Sequence, residues 1–256
     1  MSEQKWPDRL WIVRHGESAG NVARDAAESA GLHLIEIGAR RDVDVPLSPL
    51  GERQAAALGH WFGQMLREQQ PEVVLTSPYL RAKETAEIAL AAAGIDPGDI
   101  TFIPDERLRE KEFGVLDRLT KLGIQARYPE QAEFRQAIGK FYHRPPGGES
   151  WCDIILRLRN VIDTITREYC RERVLIVAHS VVVLCFRYLL ERMTEEKILA
   201  IDREHDVANC SVTTYEYDTH LGKRGKLALR AFNFVAPLEA EGALVTTEKD
   251  VPVAPK

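Results

Sequence analysis

The chain has 256 residues, 45% of them hydrophobic and 29% charged, which is the composition of an ordinary globular protein able to bury a substantial core. Its 34 Lys and Arg are outnumbered by 39 Asp and Glu, and the net charge of −5 excludes a molecule built around a basic nucleic-acid or anionic-membrane surface. Cys152, Cys170, Cys185 and Cys210 show no zinc-type or Cys-x-x-Cys spacing and read as small buried residues of a reducing compartment. With neither a signal peptide nor an apolar run long enough to cross a bilayer, the expected location is cytoplasmic.

In chain order, Leu10–Val13 is a fully apolar strand that stops abruptly at Arg14, His15 and Gly16. Ser18, Gly20 and Asn21 supply hydroxyl, bare backbone and amide donors in the next turn. Ser48 as N-cap and Pro49 at the first helical position open an alanine-rich helix running to about Glu68. Residues 72–76 form a second buried strand, Pro78–Ala93 a helix closed by Gly94, and Ile100–Ile103 a third strand. The polar stretch 107–148 shows only short helical patches, such as Pro129–Ile138, and no core of its own. It reads as a cap inserted over the sheet. A long helix spans about Ser150–Tyr169, with Ile154, Ile155, Leu158, Val161, Ile162 and Ile165 on one face. Arg173–Ala178 is another buried strand and Val181–Arg192 a helix, while Cys210–Tyr217 and Leu227–Phe234 alternate as edge strands. Residues 236–256, small, charged and proline-bearing, read as a disordered tail after a catalytic domain over 8–235. Strand–helix alternation predicts an α/β protein with three α/β/α layers around a mainly parallel, mixed-edge sheet.

Open α/β sheets bind ligands at the C-terminal ends of their strands. There the first strand carries Arg14 and His15, residues 174–178 lead into His179 and Ser180, and residues 73–75 lead toward Arg81. An Arg-His pair after one strand is commonly structural. Three strand ends sending cationic or imidazole groups to one edge imply an anion pocket. His33, His60, His143, His205 and His220 read instead as surface or helix-face residues. Glu17 beside His15 lacks further metal ligands at suitable spacing, so the expected metal is none.

Five segments resemble the histidine phosphatase superfamily, also called phosphoglycerate mutase-like, over about residues 8–235. They are Arg14-His15-Gly16-Glu17-Ser18, Thr76-Ser77-Pro78-Tyr79-Leu80-Arg81-Ala82, Leu108-Arg109-Glu110-Lys111-Glu112-Phe113-Gly114, Pro146-Gly147-Gly148-Glu149-Ser150 and Val177-Ala178-His179. The resemblance implies that a neutral His15 attacks phosphorus to form a phosphohistidine. It implies that Arg14, Arg81, Asn21 and a cationic His179 hold the phosphoryl oxygens, and that Glu110 moves the proton, with Glu112 as rival. Ser180 stands where most members have glycine, and its hydroxyl could add a donor. Asn209 fits a family position near the site, or a turn cap.

The resulting expectation is a histidine acid phosphatase-type phosphomonoester hydrolase acting on a small phosphorylated metabolite. It needs no cofactor, no metal, and no nucleic-acid or membrane partner. Glu112 is expected to repel a carboxylate-bearing substrate, which favours hydrolysis over the alternatives of a phosphoglycerate-type mutase and a non-catalytic phosphate-binding module. Arg118, Lys121, Arg127, Tyr128, Arg135, Lys140, Tyr142, His143 and Arg144 form either a basic mouth or a solvated face. The oligomeric state has no signature in the sequence.

Overall fold

The computed structural model describes residues 4–247. It opens with β1 (Arg9–Arg14), α1 (Ala19–Ser29) and α2 (Pro49–Gly63), followed by β2 (Val73–Thr76), α3 (Leu80–Ala92) and β3 (Thr101–Pro104). Next come the cap helices α4 (Lys121–Arg127) and α5 (Pro129–Ile138), and then α6 (Trp151–Glu168). The chain continues through β4 (Arg173–Ala178), α7 (Ser180–Leu190) and α8 (Glu195–Glu204) to β5 (Val212–Asp218), β6 (Lys226–Phe234) and α9 (Ala236–Ala240). None of these helices is long and apolar enough to cross a membrane.

The six strands lie in the order β3-β2-β4-β1-β5-β6. The first four are mutually parallel, with β1 Leu10 opposite β4 Val174 and β2 Val73 opposite the same residue, while β5 and β6 are antiparallel additions. The fold is therefore the expected helix-flanked mixed sheet. Because β1, β2 and β4 are covered on both faces, they are apolar throughout and do not alternate. Successive side chains nevertheless point to opposite faces. Leu10, Ile12, Val174 and Ile176 meet α6 and α7 through Leu158, Val161, Val182 and Phe186. Trp11, Val13, Leu175 and Val177 meet α2 and α3 through Leu58, Phe62, Ala82 and Ala86. Ala82 and Ala86 are thus core contacts, and Trp11 stands edge-on to Phe62 at 5.4 Å.

Three expectations need correction. The sequence gives α1 no clear helical signal, because Gly20, Asn21 and Ser29 dilute it and only Ala27 is buried. The cap does own a small core, with Leu116 and Ile124 packed by Phe113, Leu119, Tyr128 and Ala132. The tail is ordered as far as residue 247. Leu238 is fully buried against Leu47, Ala55 and Ala57, and Gln54 Nε2 donates to Leu244 O at 2.8 Å and Thr246 Oγ1 at 2.9 Å. A short apolar anchor holds a segment whose composition alone looks unstructured. Residues 248–256 of the expected tail lie outside the described residues.

Candidate active site

The parallel sheet brings its strand ends together as geometry requires. His15 N continues the ladder by donating to Ala178 O at 2.9 Å, so the first histidine sits one residue from the turn that bears the second. Immediately beyond it the chain meets α2 backbone to backbone. A Cβ on Gly51 would lie 2.0 Å from Glu17 O, and one on Gly16 would lie 2.7 Å from Gly51 O. Only glycine fits at that crossing. Gly16 N is satisfied by Thr85 Oγ1 at 3.0 Å. Behind His15, Asn209 Nδ2 donates to its carbonyl at 2.9 Å, and Cys210, held at φ 51°, donates its N–H to Arg14 O at 3.0 Å. A left-handed conformation at a buried cysteine is a strained one, maintained where it braces the site.

The two imidazoles stand 5.1 Å apart, edge to face, and both are buried. His15 Nδ1 lies 2.7 Å from Gly16 O, and a carbonyl can only accept, so Nδ1 carries the hydrogen and Nε2 keeps its lone pair. Arg81 Nε donates to that Nε2 at 3.2 Å. Burial, then the Arg81 and Arg14 guanidiniums, push the His15 pKa well below its ordinary value despite the Gly16 carbonyl. This arrangement therefore holds His15 neutral. Burial, then Arg81 and His15, also push the His179 pKa well below its ordinary value, so this arrangement by itself opposes the cationic form expected of it against a phosphoryl group. Its Nε2 lies 2.8 Å from Ser77 Oγ, and Tyr79 stands edge-on to its ring at 5.1 Å.

Glu110 reaches the same point from the cap. Its Oε2 lies 3.3 Å from His179 Nδ1, without the alignment of a hydrogen bond, and its Oε1 accepts from Lys111 N at 2.8 Å. Glu112, the rival, is 47% exposed, faces Tyr79 and Arg109, and does not line the cleft. Geometry thus separates the two carboxylates. It also removes the argument that Glu112 would repel a substrate carboxylate. The Glu110 segment is fixed by a buried ion network. Glu149 accepts from Arg109 Nη2 at 2.6 Å, Arg157 Nε at 3.0 Å and Glu112 N at 3.2 Å, and Arg157 Nη2 donates to Glu110 O at 3.3 Å. Glu149 lay within a recognised turn, but nothing in the sequence assigned it this bracing role.

The cleft is lined by His15, Asn21, Arg81, Glu110 and Ser180 on its inner side. Asn21 is there, although its Oδ1 also accepts from Ser18 N at 2.9 Å and closes the cap of α1. Ser180 begins α7 with ordinary backbone torsions, so replacing glycine costs no strain. Arg14 is buried, and its Nη1 donates to Val207 O at 2.6 Å, so its charge reaches both imidazoles from behind. Toward the outside the wall includes Arg24, Asp42, Asp117, Arg118, Lys140 and Asp202. Of the cap residues proposed for a basic mouth, Arg118 and Lys140 are there, each beside an acid: Lys140 Nζ is 2.5 Å from Asp202 and Arg118 Nε 3.7 Å from Asp117. His205 is a surface residue as expected, at the rim of the cleft, whereas His143 is buried against expectation.

The sequence offered no metal-ligand cluster, yet the fold assembles one. Donor atoms of His15, Glu110 and His179 all lie within 4.8 Å of one another. Two flanking guanidiniums make this a poor environment for a dication and a good one for a phosphate dianion.

The model of the histidine phosphatase superfamily (branch 1) matches residues 10–227. A probable phosphoglycerate mutase GpmB of Yersinia enterocolitica is 28% identical over 211 residues, 82% of this chain and 85% of that protein. A 2,3-bisphosphoglycerate-dependent phosphoglycerate mutase 2 of Gloeobacter violaceus is 31% identical over 200 residues, 77% of this chain and 82% of its own. The structure of a mycobacterial glucosyl-3-phosphoglycerate phosphatase superposes with a TM-score of 0.64 at 23% identity, covering 89% of this chain and 100% of that one, a likeness of fold alone.

Proposed function

Since the chain belongs to the histidine phosphatase superfamily, branch 1, we propose that it is a phosphomonoester hydrolase acting on a small phosphorylated metabolite through a phosphohistidine on His15. The observation that carries this reading is the convergence of one neutral imidazole with a lone pair, a guanidinium and a carboxyl group on one cleft, with the fully buried second imidazole of His179 packed against the first. His15 Nε2 attacks phosphorus while the P–O bond to the leaving group breaks, and Glu110 gives that oxygen its proton. In the second half, water attacks the phosphohistidine and Glu110 takes the proton back, leaving inorganic phosphate and free His15. Arg81, Asn21, Ser180 and Arg14 supply fixed donors and positive charge as negative charge moves onto the equatorial oxygens. A bound dianion also favours protonation of His179, which this site otherwise opposes.

Hydrolysis is preferred to a mutase reaction for a reason drawn from the outer cleft. Its cations are offset by Asp117, Asp202 and Asp206, so a substrate carboxylate finds no net positive second site. A phosphate-binding module without catalysis is disfavoured because Glu110 is brought to the imidazoles, a placement that binding alone does not need. The test is a panel of phosphomonoesters assayed for inorganic phosphate, with His15→Ala alongside. Phosphate release by the native chain and not by the variant is expected. Isomerised phosphoglycerate without phosphate release would overturn the reading.

A further inference from the structure

Arg81 does not offer the cleft an open fork. Its Nη1 donates to Asp42 O at 2.9 Å and Asp42 Oδ1 at 3.2 Å, and its Nη2 donates to Asp42 Oδ2 at 3.1 Å, while Nε is spent on His15 Nε2. A guanidinium has five N–H donors, and the paired Nη1/Nη2 geometry that Asp42 occupies is the one by which arginine grips a phosphate group. Asp42 is thus an acid of the chain itself seated where a phosphoryl oxygen pair would sit.

The two partners are not equally mobile. Arg81 is 6% exposed, stacked on the Tyr79 ring at 4.7 Å and tied to the nucleophile, whereas the Asp42 side chain is 37% exposed on the cleft wall. Among the described residues, the hydrogen bonds of the Asp42 carboxylate go to Arg81, while its neighbour Asp44 is held by Arg41 at 2.7 Å. The preceding loop is secured to the cap, with Ile35 N donating to Arg118 O at 2.9 Å and Arg118 Nη2 to Arg40 O at 2.6 Å. Rotation of the Asp42 side chain therefore frees one hydrogen on each of Nη1 and Nη2, while the bond from Nη1 to the Asp42 carbonyl stays in place.

We propose that Asp42 is an internal competitor for the phosphate-binding fork of Arg81, a carboxylate that must leave when a phosphoryl group enters and that returns to help expel product phosphate. The proposal rests on the reading of Arg81 as a phosphate ligand. It makes Asp42 a determinant of phosphate affinity without a part in bond making. Apparent affinity falls by the fraction of molecules in which the fork is open. If Asp42 holds it closed in about nine molecules of ten, removing the carboxylate tightens phosphate binding about tenfold.

The experiment is calorimetric titration of the full chain with inorganic phosphate, comparing the native protein with Asp42→Asn, Asp42→Ala, Asp44→Asn and Arg81→Ala, each first shown to melt cooperatively. Both Asp42 variants are expected to bind phosphate about tenfold more tightly. Asp44→Asn, which removes a nearby charge held by Arg41, should stay within about twofold of the native protein. Equal or weaker binding by both Asp42 variants, with binding still lost in Arg81→Ala, refutes the competition alone and makes Asp42 a residue that positions Arg81. Native-like phosphate binding by Arg81→Ala, or none by any protein, refutes the assignment of Arg81 and the proposal with it.

Discussion

The inner and outer ends of the cleft handle charge in opposite ways. At the strand termini, two imidazoles are buried beside Arg14 and Arg81 and driven to neutrality, so the positive charge there is the two guanidiniums, one of them covered by the Asp42 carboxylate. Under the cap, Lys140 and Arg118 each lie against an aspartate, so little net charge is offered. On the proposed function, the inner end would act on the phosphoryl group common to all phosphomonoesters and the outer end would recognise the remainder by shape and hydrogen bonding. Asp42 straddles the two, a wall residue reaching in to the inner arginine.

If that division holds, changes at the inner end alter kcat for every substrate. Glu110→Gln should have the largest effect of those considered, a loss of about 10²–10⁴ in kcat for alkyl phosphates. The loss in kcat/KM, which reports only the first half-reaction, should be much smaller for p-nitrophenyl phosphate, whose leaving group departs without a proton. An equal loss in kcat/KM on both substrates would remove Glu110 as the acid for the leaving group.

The buried imidazoles also make stability depend on pH. Both have folded-state pKa values well below the ordinary value, so below about pH 6.5 the unfolded chain binds protons that the folded chain does not. Stability is therefore level above that pH and falls as acid is added, each histidine contributing about 2 kcal/mol of loss between pH 7.5 and 5 if it stays neutral throughout. Urea unfolding at the two pH values should show the pH-dependent loss reduced by about that amount in His179→Asn. An unchanged loss would mean that His179 is protonated in the folded state.

Ending the chain at Gly242 removes Leu244 and Thr246 from Gln54, whose buried amide then lacks acceptors. The expected cost is about 1–3 kcal/mol, read as a lower melting temperature. A melting temperature equal to that of the full chain would show that the 243–247 segment does not support the site. At the outer end, Arg118→Ala should change KM by less than about threefold on any phosphomonoester, because an ion pair this exposed contributes little. A tenfold rise for one anionic substrate alone would contradict the self-paired mouth and identify that substrate's second anchor.

The same division explains what could be read without coordinates. His15, His179 and Arg81 each follow a buried strand within a few positions, so strand pattern plus residue type places them on one edge, whereas Glu110 and Asn21 have no such signal. The burial of His179, which lowers its pKa in this arrangement, has no local signature because Tyr79 and Ser77 lie a hundred residues away along the chain. The Asp42 contact spans 39 residues, and the Glu149 brace on Arg109 spans 40. Neither has a local signature, since an aspartate in a polar loop looks the same whether it faces water or a guanidinium. The tail was misread for a related reason. Its composition is that of an unstructured segment, and its order comes from Leu238 and from acceptors that satisfy a glutamine on α2.

Rapid chemical quench with a ³²P-labelled phosphomonoester tests most directly whether His15 carries the phosphoryl group. The account predicts an acid-labile, base-stable phosphoenzyme mapped to His15, formed within one turnover and absent from His15→Ala. Steady hydrolysis by the native chain with the label on another residue, or undiminished hydrolysis by His15→Ala, would contradict it.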